Sequence, residues 1–183
     1  LLSANKKYLS DKISFLSPDI FYLADTNGCL NPSQTKNLIE YVSSLTDIPI
    51  GVHLHNNQGL AYANALQAIQ SGVSYIDSTL TGIGRGAGNT QTEFLSYFLK
   101  DLSLDQIVKI SGIIEKYFLP LKKEYLWGDN YIYFLSGSHN QSASLMHDLV
   151  NNKAYSEKSL LKLATSSHND SISTVVKQNE SHN

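Results

Sequence analysis

The sequence predicts an α/β fold on a parallel sheet, either an open doubly wound sheet or an arc of a barrel. Three strand-then-helix patterns follow one another within about ninety residues, and such repeats demand right-handed crossovers between parallel strands. Residues able to do chemistry, Asp25, His53, His55, Asp77 and Thr79, all fall at or near the C-terminal ends of the strand candidates. In both architectures that edge is where ligands bind.

The first strand is the apolar run Ile20 to Ala24, ending at Asp25; such a run suits a strand buried on both faces. A helix follows, with Asn31 as cap, Pro32 in the first turn, Gln34 where a capping box needs it, and Leu38, Ile39, Val42 and Leu45 at helical spacing. The second unit is a strand over Ile48 to His55, then a helix from Leu60 to Gln70 with an apolar face at 60, 63, 66 and 69 and Gly72 as its stop. Val73 to Leu80 reads as a third strand and Glu93 to Leu102 as the next helix. Beyond 103 the pattern is helical: Leu104 to Tyr117 with a break near Pro120, an aromatic cluster over Trp127 to Leu135, and a helix over Asn140 to Leu149. From Asn151 the composition turns to Ser, Asn, Lys and His, with one amphipathic piece at Leu160 to Leu163; the last fifteen or so residues carry too little apolar surface to offset chain entropy, so a frayed tail is expected.

With 183 residues and 42% hydrophobic content, the chain can bury a sizeable core. A net charge of −2 without a basic cluster argues against nucleic acid as a partner. No run approaches the roughly 18 apolar residues of a membrane span, and no secretory signal is present at Leu1, so the expected location is cytoplasmic and no membrane partner is expected. One cysteine, Cys29, leaves no intramolecular disulfide framework.

The chemistry concentrates in two motifs. In an extended strand alternate side chains share a face, so His53 and His55 project together while Val52 and Leu54 point the other way. That is a two-imidazole grip for a divalent ion, which would still want a carboxylate and open positions for substrate or water. The segment Gly82-Ile83-Gly84-Arg85-Gly86-Ala87-Gly88-Asn89-Thr90 then offers backbone N–H groups and a side-chain amide beside it. The same glycines also fit a loose dinucleotide fingerprint, but helix rather than strand follows and the acidic residue that fingerprint needs has no counterpart. Asp25 and Asp77 could equally cap the next segment or pair with Arg85. Tyr131 and Tyr133 fit core or interface as well as a catalytic hydroxyl, and Cys29 and His139 lack a sequence-adjacent partner.

Together, the turn Asp25-Thr26-Asn27-Gly28 with Asn31-Pro32, the run His53-Leu54-His55-Asn56-Asn57-x-Gly59-Leu60-Ala61-x-Ala63-Asn64, Asp77-Ser78-Thr79, and Gly82-x-Gly84-x-Gly86-x-Gly88-Asn89-Thr90-x-x-Glu93 resemble the pyruvate carboxyltransferase-like, or HMG-CoA lyase-like, metal-dependent aldolases. The match covers about residues 15 to 100, and residues 104 to 150 are similar to the 4-hydroxy-2-oxovalerate aldolase branch. The resemblance implies a partial TIM (β/α)8 barrel made of later strands followed by a helical C-terminal region. Residues 1–103 would be the C-terminal part of the barrel, 104–150 a helical extension and 151–183 a polar, partly disordered tail.

By the same resemblance His53, His55 and Asn89 would hold Mn²⁺ or Mg²⁺. Asp25, Asn57, Thr79, Gly84, Gly86 and Gly88 would line the substrate, and Tyr133 would be the catalytic tyrosine. The implied function is that of a carbon–carbon lyase acting on a small-molecule 2-oxo acid through a pyruvate enolate that the metal stabilises. The family's first strand carries an Asp-Arg motif, whose Asp completes the metal shell and whose Arg steadies the enolate oxygen; none precedes Phe21. A full barrel needs about 250 residues. The chain is therefore expected to match only the C-terminal part of a family member and, alone, to be inactive. Unpaired strand edges should drive homo-oligomerisation or association with a missing N-terminal half. The competing functions are a Claisen-type acyltransferase using acetyl-CoA and a non-catalytic remnant acting as a binding subunit.

Overall fold

The computed structural model describes residues 11–13, 15–16, 18–152 and 155–166. Three parallel strands stand side by side in the order β1-β2-β3: β1 (Phe21–Asp25), β2 (Ile50–Leu54) and β3 (Tyr75–Ile76). The register sets Phe21 against Ile50, Ala24 against His53 and Gly51 against Tyr75. Helix α1 (Pro32–Ser43) joins β1 to β2 and α2 (Ala61–Gln70) joins β2 to β3, so both crossovers are strand-helix-strand units.

The capping box at the start of α1 forms as expected, with Asn31 Oδ1 accepting from the Gln34 N–H at 2.9 Å and Gln34 Oε1 from the Asn31 N–H at 2.9 Å. Leu38, Ile39 and Val42 of α1 pack on Leu23, Val52 and Leu54 from the sheet in one core. The buried face of α2 is Ala61, Asn64, Ala65 and Ala68, one residue away from the expected stripe at 60, 63, 66 and 69. The alanines win because their small side chains let the helix approach the sheet closely, and Asn64 is accommodated by donating to the Leu30 carbonyl at 2.8 Å.

The third strand is far shorter than the expected Val73 to Leu80. After Ile76 the chain keeps only an Asp77 N–H bond to the Val52 carbonyl, and a 3₁₀ turn takes over at Leu80–Gly82. Thr79 and Thr90 share the next backbone bond, so the glycine segment folds back over the place where the strand would have continued. His55 likewise falls outside β2, in an isolated antiparallel bridge with Asn89. Helix α3 (Thr92–Leu99) follows.

The expected break near Pro120 does not occur. Helix α4 (Leu104–Ile113) runs into a π-helical turn at Ile114–Phe118 and on into α5 (Leu119–Tyr125). Proline lacks the N–H and its ring crowds the carbonyl four residues back; widening the turn just before it lets the chain stay helical. No residue of α4, the π turn or α5 is buried, and Leu104, Val108, Tyr117 and Tyr125 are more than half exposed.

Helices α6 (Tyr131–Ser138), α7 (Ala143–Asn151) and α8 (Glu157–Thr165) build a second core from Ile132, Met146, Leu149, Leu160, Leu163 and Ala164. The aromatic cluster is thus the first helix of this core. Helix α7 begins three residues later than expected, because Asn140 sits in the left-handed region at φ 54° and Ser142 caps the helix instead. The amphipathic piece at 160–163 lies within α8. The frayed tail expected for the last fifteen residues lies outside the described residues, none of whose helices is long and apolar enough to cross a membrane.

Candidate active site

The two imidazoles share one side of the β2 edge. Their ring centroids lie 4.9 Å apart with the planes nearly perpendicular at 82°. Each has one nitrogen engaged by a fixed acceptor. His55 Nδ1 lies 2.8 Å from the Asp25 carbonyl oxygen, which can only accept, so this nitrogen carries the proton. His53 Nδ1 lies 3.1 Å from Asp77 Oδ2. In both rings Nε2 is then the nitrogen with a free lone pair, the arrangement by which an outer acceptor orients a metal-ligating histidine. Burial, more than any neighbouring charge, pushes the His55 imidazole below its ordinary range, so the ring is neutral and able to ligate.

Asp25 earns its place through its backbone. Its carboxylate is 4% exposed and accepts from the Cys29 N–H at 2.9 Å and the Leu30 N–H at 3.0 Å, so it caps the turn. Its carbonyl, by contrast, is what holds His55. Asp77 pairs with His53, not with Arg85. The Cys29 thiol is pushed up to about 11, by burial first and the Asp25 charge second, which leaves it a poor nucleophile.

Asn89 sits across from His55 in the backbone bridge. Its Nδ2 donates to the Ile83 carbonyl at 3.1 Å, while its Oδ1 is buried with no hydrogen-bond partner. A buried amide oxygen left without a donor is costly, unless something outside the protein chain supplies the positive end. Gly84 is where this amide fits: a Cβ there would collide with Asn89 Nδ2 and lie 3.0 Å from its Cγ.

The glycine segment uses its backbone differently from the expected ligand cradle. The N–H of Gly86 donates to His147 Nδ1 at 3.2 Å, that of Gly88 to the Arg85 carbonyl at 3.1 Å, and that of Asn89 to the Gly82 carbonyl at 3.0 Å. Those amides are spent inside the protein. The glycines permit close passage instead: Gly88 lies at φ 80° and a Cβ there would strike the Gly82 carbonyl oxygen. Thr79 likewise serves the loop, its hydroxyl donating to the Ile83 carbonyl at 2.8 Å. Asn57 is 7% exposed and tucked under Gly28. Tyr133 is 4% exposed, its ring against Gly86, and burial holds its phenol above the ordinary range.

Sequence reasoning missed the loop's distant anchors. Trp127 Nε1 donates to the Thr81 carbonyl at 3.0 Å, the Gly128 N–H to the Gly86 carbonyl at 3.0 Å, and Glu93 takes the Thr81 N–H on both carboxylate oxygens at 3.0 and 3.1 Å. The only available signals were a lone tryptophan beside a glycine and an acid in the first turn of α3. His147 carried none.

As a donor set, His53, His55 and the Asn89 oxygen fit a divalent cation, and the orphaned oxygen is the observation that favours one. Among the described residues no group of three His, Cys, Asp or Glu is assembled, so the set holds no carboxylate.

Several known proteins are similar to this chain. The chain is 40% identical over 105 residues to 4-hydroxy-2-oxovalerate aldolase of Carboxydothermus hydrogenoformans, covering 56% of this chain and 31% of that protein. It is 42% identical over 76 residues to oxaloacetate decarboxylase of Mycobacterium tuberculosis, covering 42% and 23%. The chain therefore spans about a third or less of the length of these curated relatives. Among solved structures, the N-terminal domain of a candidate aldolase from Bacteroides vulgatus superposes with a TM-score of 0.65 at 34% identity, over 74% of this chain and 46% of that one. The carboxyl transferase domain of Rhizobium etli pyruvate carboxylase superposes with a TM-score of 0.65 at 19% identity, over 88% and 30%, and supports the fold alone. The three strands and their helices are an arc of a TIM-type barrel carrying further helices. A family model described as HMGL-like matches residues 7–116, well over half of the sequence, and the chain belongs to the HMGL-like family.

Proposed function

We propose that this chain carries the metal-binding edge of a carbon–carbon lyase of the 4-hydroxy-2-oxovalerate aldolase type, acting on a small 2-oxo acid. The observation that supports it most is the pair of imidazoles on one side of β2, each with Nδ1 engaged and Nε2 left to ligate, beside the partnerless oxygen of Asn89. His53, His55 and Asn89 would hold Mn²⁺ or Mg²⁺; the cation would supply Lewis-acid withdrawal of electrons from the 2-oxo group as the carbon–carbon bond breaks. Asn57, Thr79 and the glycines at 84, 86 and 88 would shape the substrate's side of the cleft, and the buried Tyr133 phenol, kept protonated, would be available to donate a hydrogen bond. Asp25 acts in this reading through His55.

Cleavage to pyruvate is favoured over Claisen-type transfer to acetyl-CoA by the curated relatives, which are an aldolase and a decarboxylase by name. We further propose that these 183 residues bind the cation weakly and need a carboxylate and an arginine from outside them for turnover, with association through the open sheet edges as the means. Manganese titration of the purified chain, read as loss of the free-Mn²⁺ paramagnetic resonance signal, tests the site. Weak binding that disappears in both His53→Ala and His55→Ala is expected; equal binding in wild type and both variants would overturn the proposal. Steady-state pyruvate release from a 4-hydroxy-2-oxo acid by this chain alone, abolished by His53→Ala, would overturn the requirement for an outside carboxylate.

A further inference from the structure

The turn between β2 and α2 and the start of α6 enclose a cleft of about 400 Å³, lined on one side by residues 57–59 and on the other by Asp129, Asn130, Tyr131 and Phe134. Small-molecule sites span roughly 300 to 1,000 Å³, so the cleft is large enough for one. Its walls follow from the sequence. Gly59 stands at φ 70°, and an added Cβ there would meet nothing within 4 Å, so the turn leaves its side open. Tyr131 and Phe134 are three residues apart on α6 and share a face. Their rings are nearly parallel, at 10° with centroids 6.4 Å apart, and they stay 68% and 44% exposed. The second core takes Ile132 from the same helix and leaves this aromatic pair to the cleft. The lining carries one ionised side chain, the carboxylate of Asp129, and no Lys, Arg or His. Among the described residues that carboxylate accepts one long hydrogen bond, from Asn56 Nδ2 at 3.5 Å. The neutral groups favour acceptance too: Gln58 spends its Nε2 on the Gly28 carbonyl at 3.2 Å, and the Ile132 N–H in the first turn of α6 is taken by Asn130 Oδ1 at 2.8 Å. Aromatic faces beside a carboxylate with no cationic partner select a positively charged ligand with an apolar body.

We propose that this cleft binds a small organic cation, an ammonium group carrying apolar substituents, with its charge held between the Asp129 carboxylate and the rings of Tyr131 and Phe134. The chemistry differs from that of the histidine edge, which would take an anionic 2-oxo acid, and the cleft does not depend on that reading. An aspartate just before a helix also serves the helix alone, by complementing its positive end. That end carries about half a charge and opposes a cation, but the full charge of Asp129 outweighs it. A helix-only role for Asp129 gives no reason for two exposed rings to stand beside it with no basic side chain among them.

The test titrates the full chain, ¹⁵N-labelled and free of metal, with choline and with its uncharged isostere dimethylbutanol, in which carbon replaces the quaternary nitrogen. Binding is read from the backbone amide signals of Gly59 and Phe134. Choline should shift both signals saturably in the millimolar range, and the isostere should bind about fivefold more weakly. Asp129→Asn should weaken choline about threefold and leave the isostere unchanged. Tyr131→Ala, at a position 68% exposed and so without cost to the fold, should weaken both ligands. Choline and isostere binding alike overturns the proposal, as does choline binding alike in wild type and Asp129→Asn. Benzoate, an anion with an aromatic body, should leave both signals in place; saturable shifts by benzoate equal to those by choline overturn it as well. A lysyl peptide bound more tightly than choline would transfer the cation from a free molecule to a protein side chain and overturn the assignment to a small ligand.

Discussion

Gly88 and Gly59 have nearly the same left-handed backbone, φ 80° and 70°, in very different surroundings. Around Gly59 an added methyl would meet nothing within 4 Å, whereas at Gly88 it would strike the Gly82 carbonyl oxygen and lie 3.5 Å from Trp127 Cδ1. Alanine at either site carries the left-handed penalty of about 1 kcal/mol. At Gly88 the backbone must move as well. It is poorly placed to do so, because the Gly82 oxygen accepts the Asn89 N–H at 3.0 Å and the Gly88 oxygen accepts the Asn56 N–H at 2.8 Å. Forced overpacking adds about 2 kcal/mol, for a total near 3 kcal/mol. In urea unfolding with a slope of about 2 kcal/mol/M, the midpoint should fall by roughly 0.5 M for Gly59→Ala and roughly 1.5 M for Gly88→Ala. Equal midpoints in the two variants would refute the claim that these glycines exist for close passage rather than for φ alone.

Cys29 should resist alkylation in the folded chain: a thiol pushed up to about 11 holds roughly a hundredth of the thiolate of one at its ordinary 9.0, so iodoacetamide labelling at pH 8 should accelerate about a hundredfold in denaturant. A labelling rate equal in folded and unfolded chain would contradict the burial of that thiol. His55 is held neutral by burial, so the unfolded chain binds its proton first as pH falls through about 6.5, and stability is lost from there down through the depressed folded value. Above that window the group gives no slope. His55→Gln should flatten this part of a stability-against-pH profile, and a variant profile parallel to wild type would show that the ring is not desolvated.

Much of the fold was legible because local signals and tertiary packing agree. The Asn31 capping box, the existence of β1 and β2 and the placing of His53 and His55 on one side are properties of a few neighbouring residues, and each forms as read, although β1 is buried on one face only, with Tyr22 42% exposed, and β2 is shorter than expected. The failures share a cause. The strand pattern at Val73 to Leu80 was satisfied in composition, but the glycine segment supplies the hydrogen bonds that a neighbouring strand would have used. Hydropathy alone favours the stripe at 60, 63, 66 and 69 on α2, whereas the sheet selects for small volume and buries Ala61, Ala65 and Ala68. Pro120 reads as a break because the cost of proline is local, and the π turn that absorbs it leaves no local signal. Of the readings open for Asp25, capping the turn is the one that forms, while its carbonyl contact to His55 leaves no mark in the sequence, since a side chain is visible there and a backbone carbonyl's partner is not.

The candidate site also depends on residues well beyond the strand that bears its histidines. From the β2 side the loop is tied by the Asn56 N–H to the Gly88 carbonyl and by the Thr90 N–H to the Leu54 carbonyl at 3.2 Å. From the other side it is tied by Trp127, Gly128 and His147, and Tyr133 closes against Gly86. Tyr133 and His147 lie in α6 and α7, whose buried faces contribute to the second core, with Met146 at 1% exposure next to His147, and Trp127 and Gly128 lie in the segment that leads into α6. Because densely packed interiors transmit displacement rather than absorbing it, the second core sets the position of the loop and, through Gly84, of the Asn89 amide. The family match ends at residue 116, yet the structural support of the site continues through His147. The helices after residue 125 therefore help to hold the loop that carries Asn89, and in the proposed reading they help to shape the cation site.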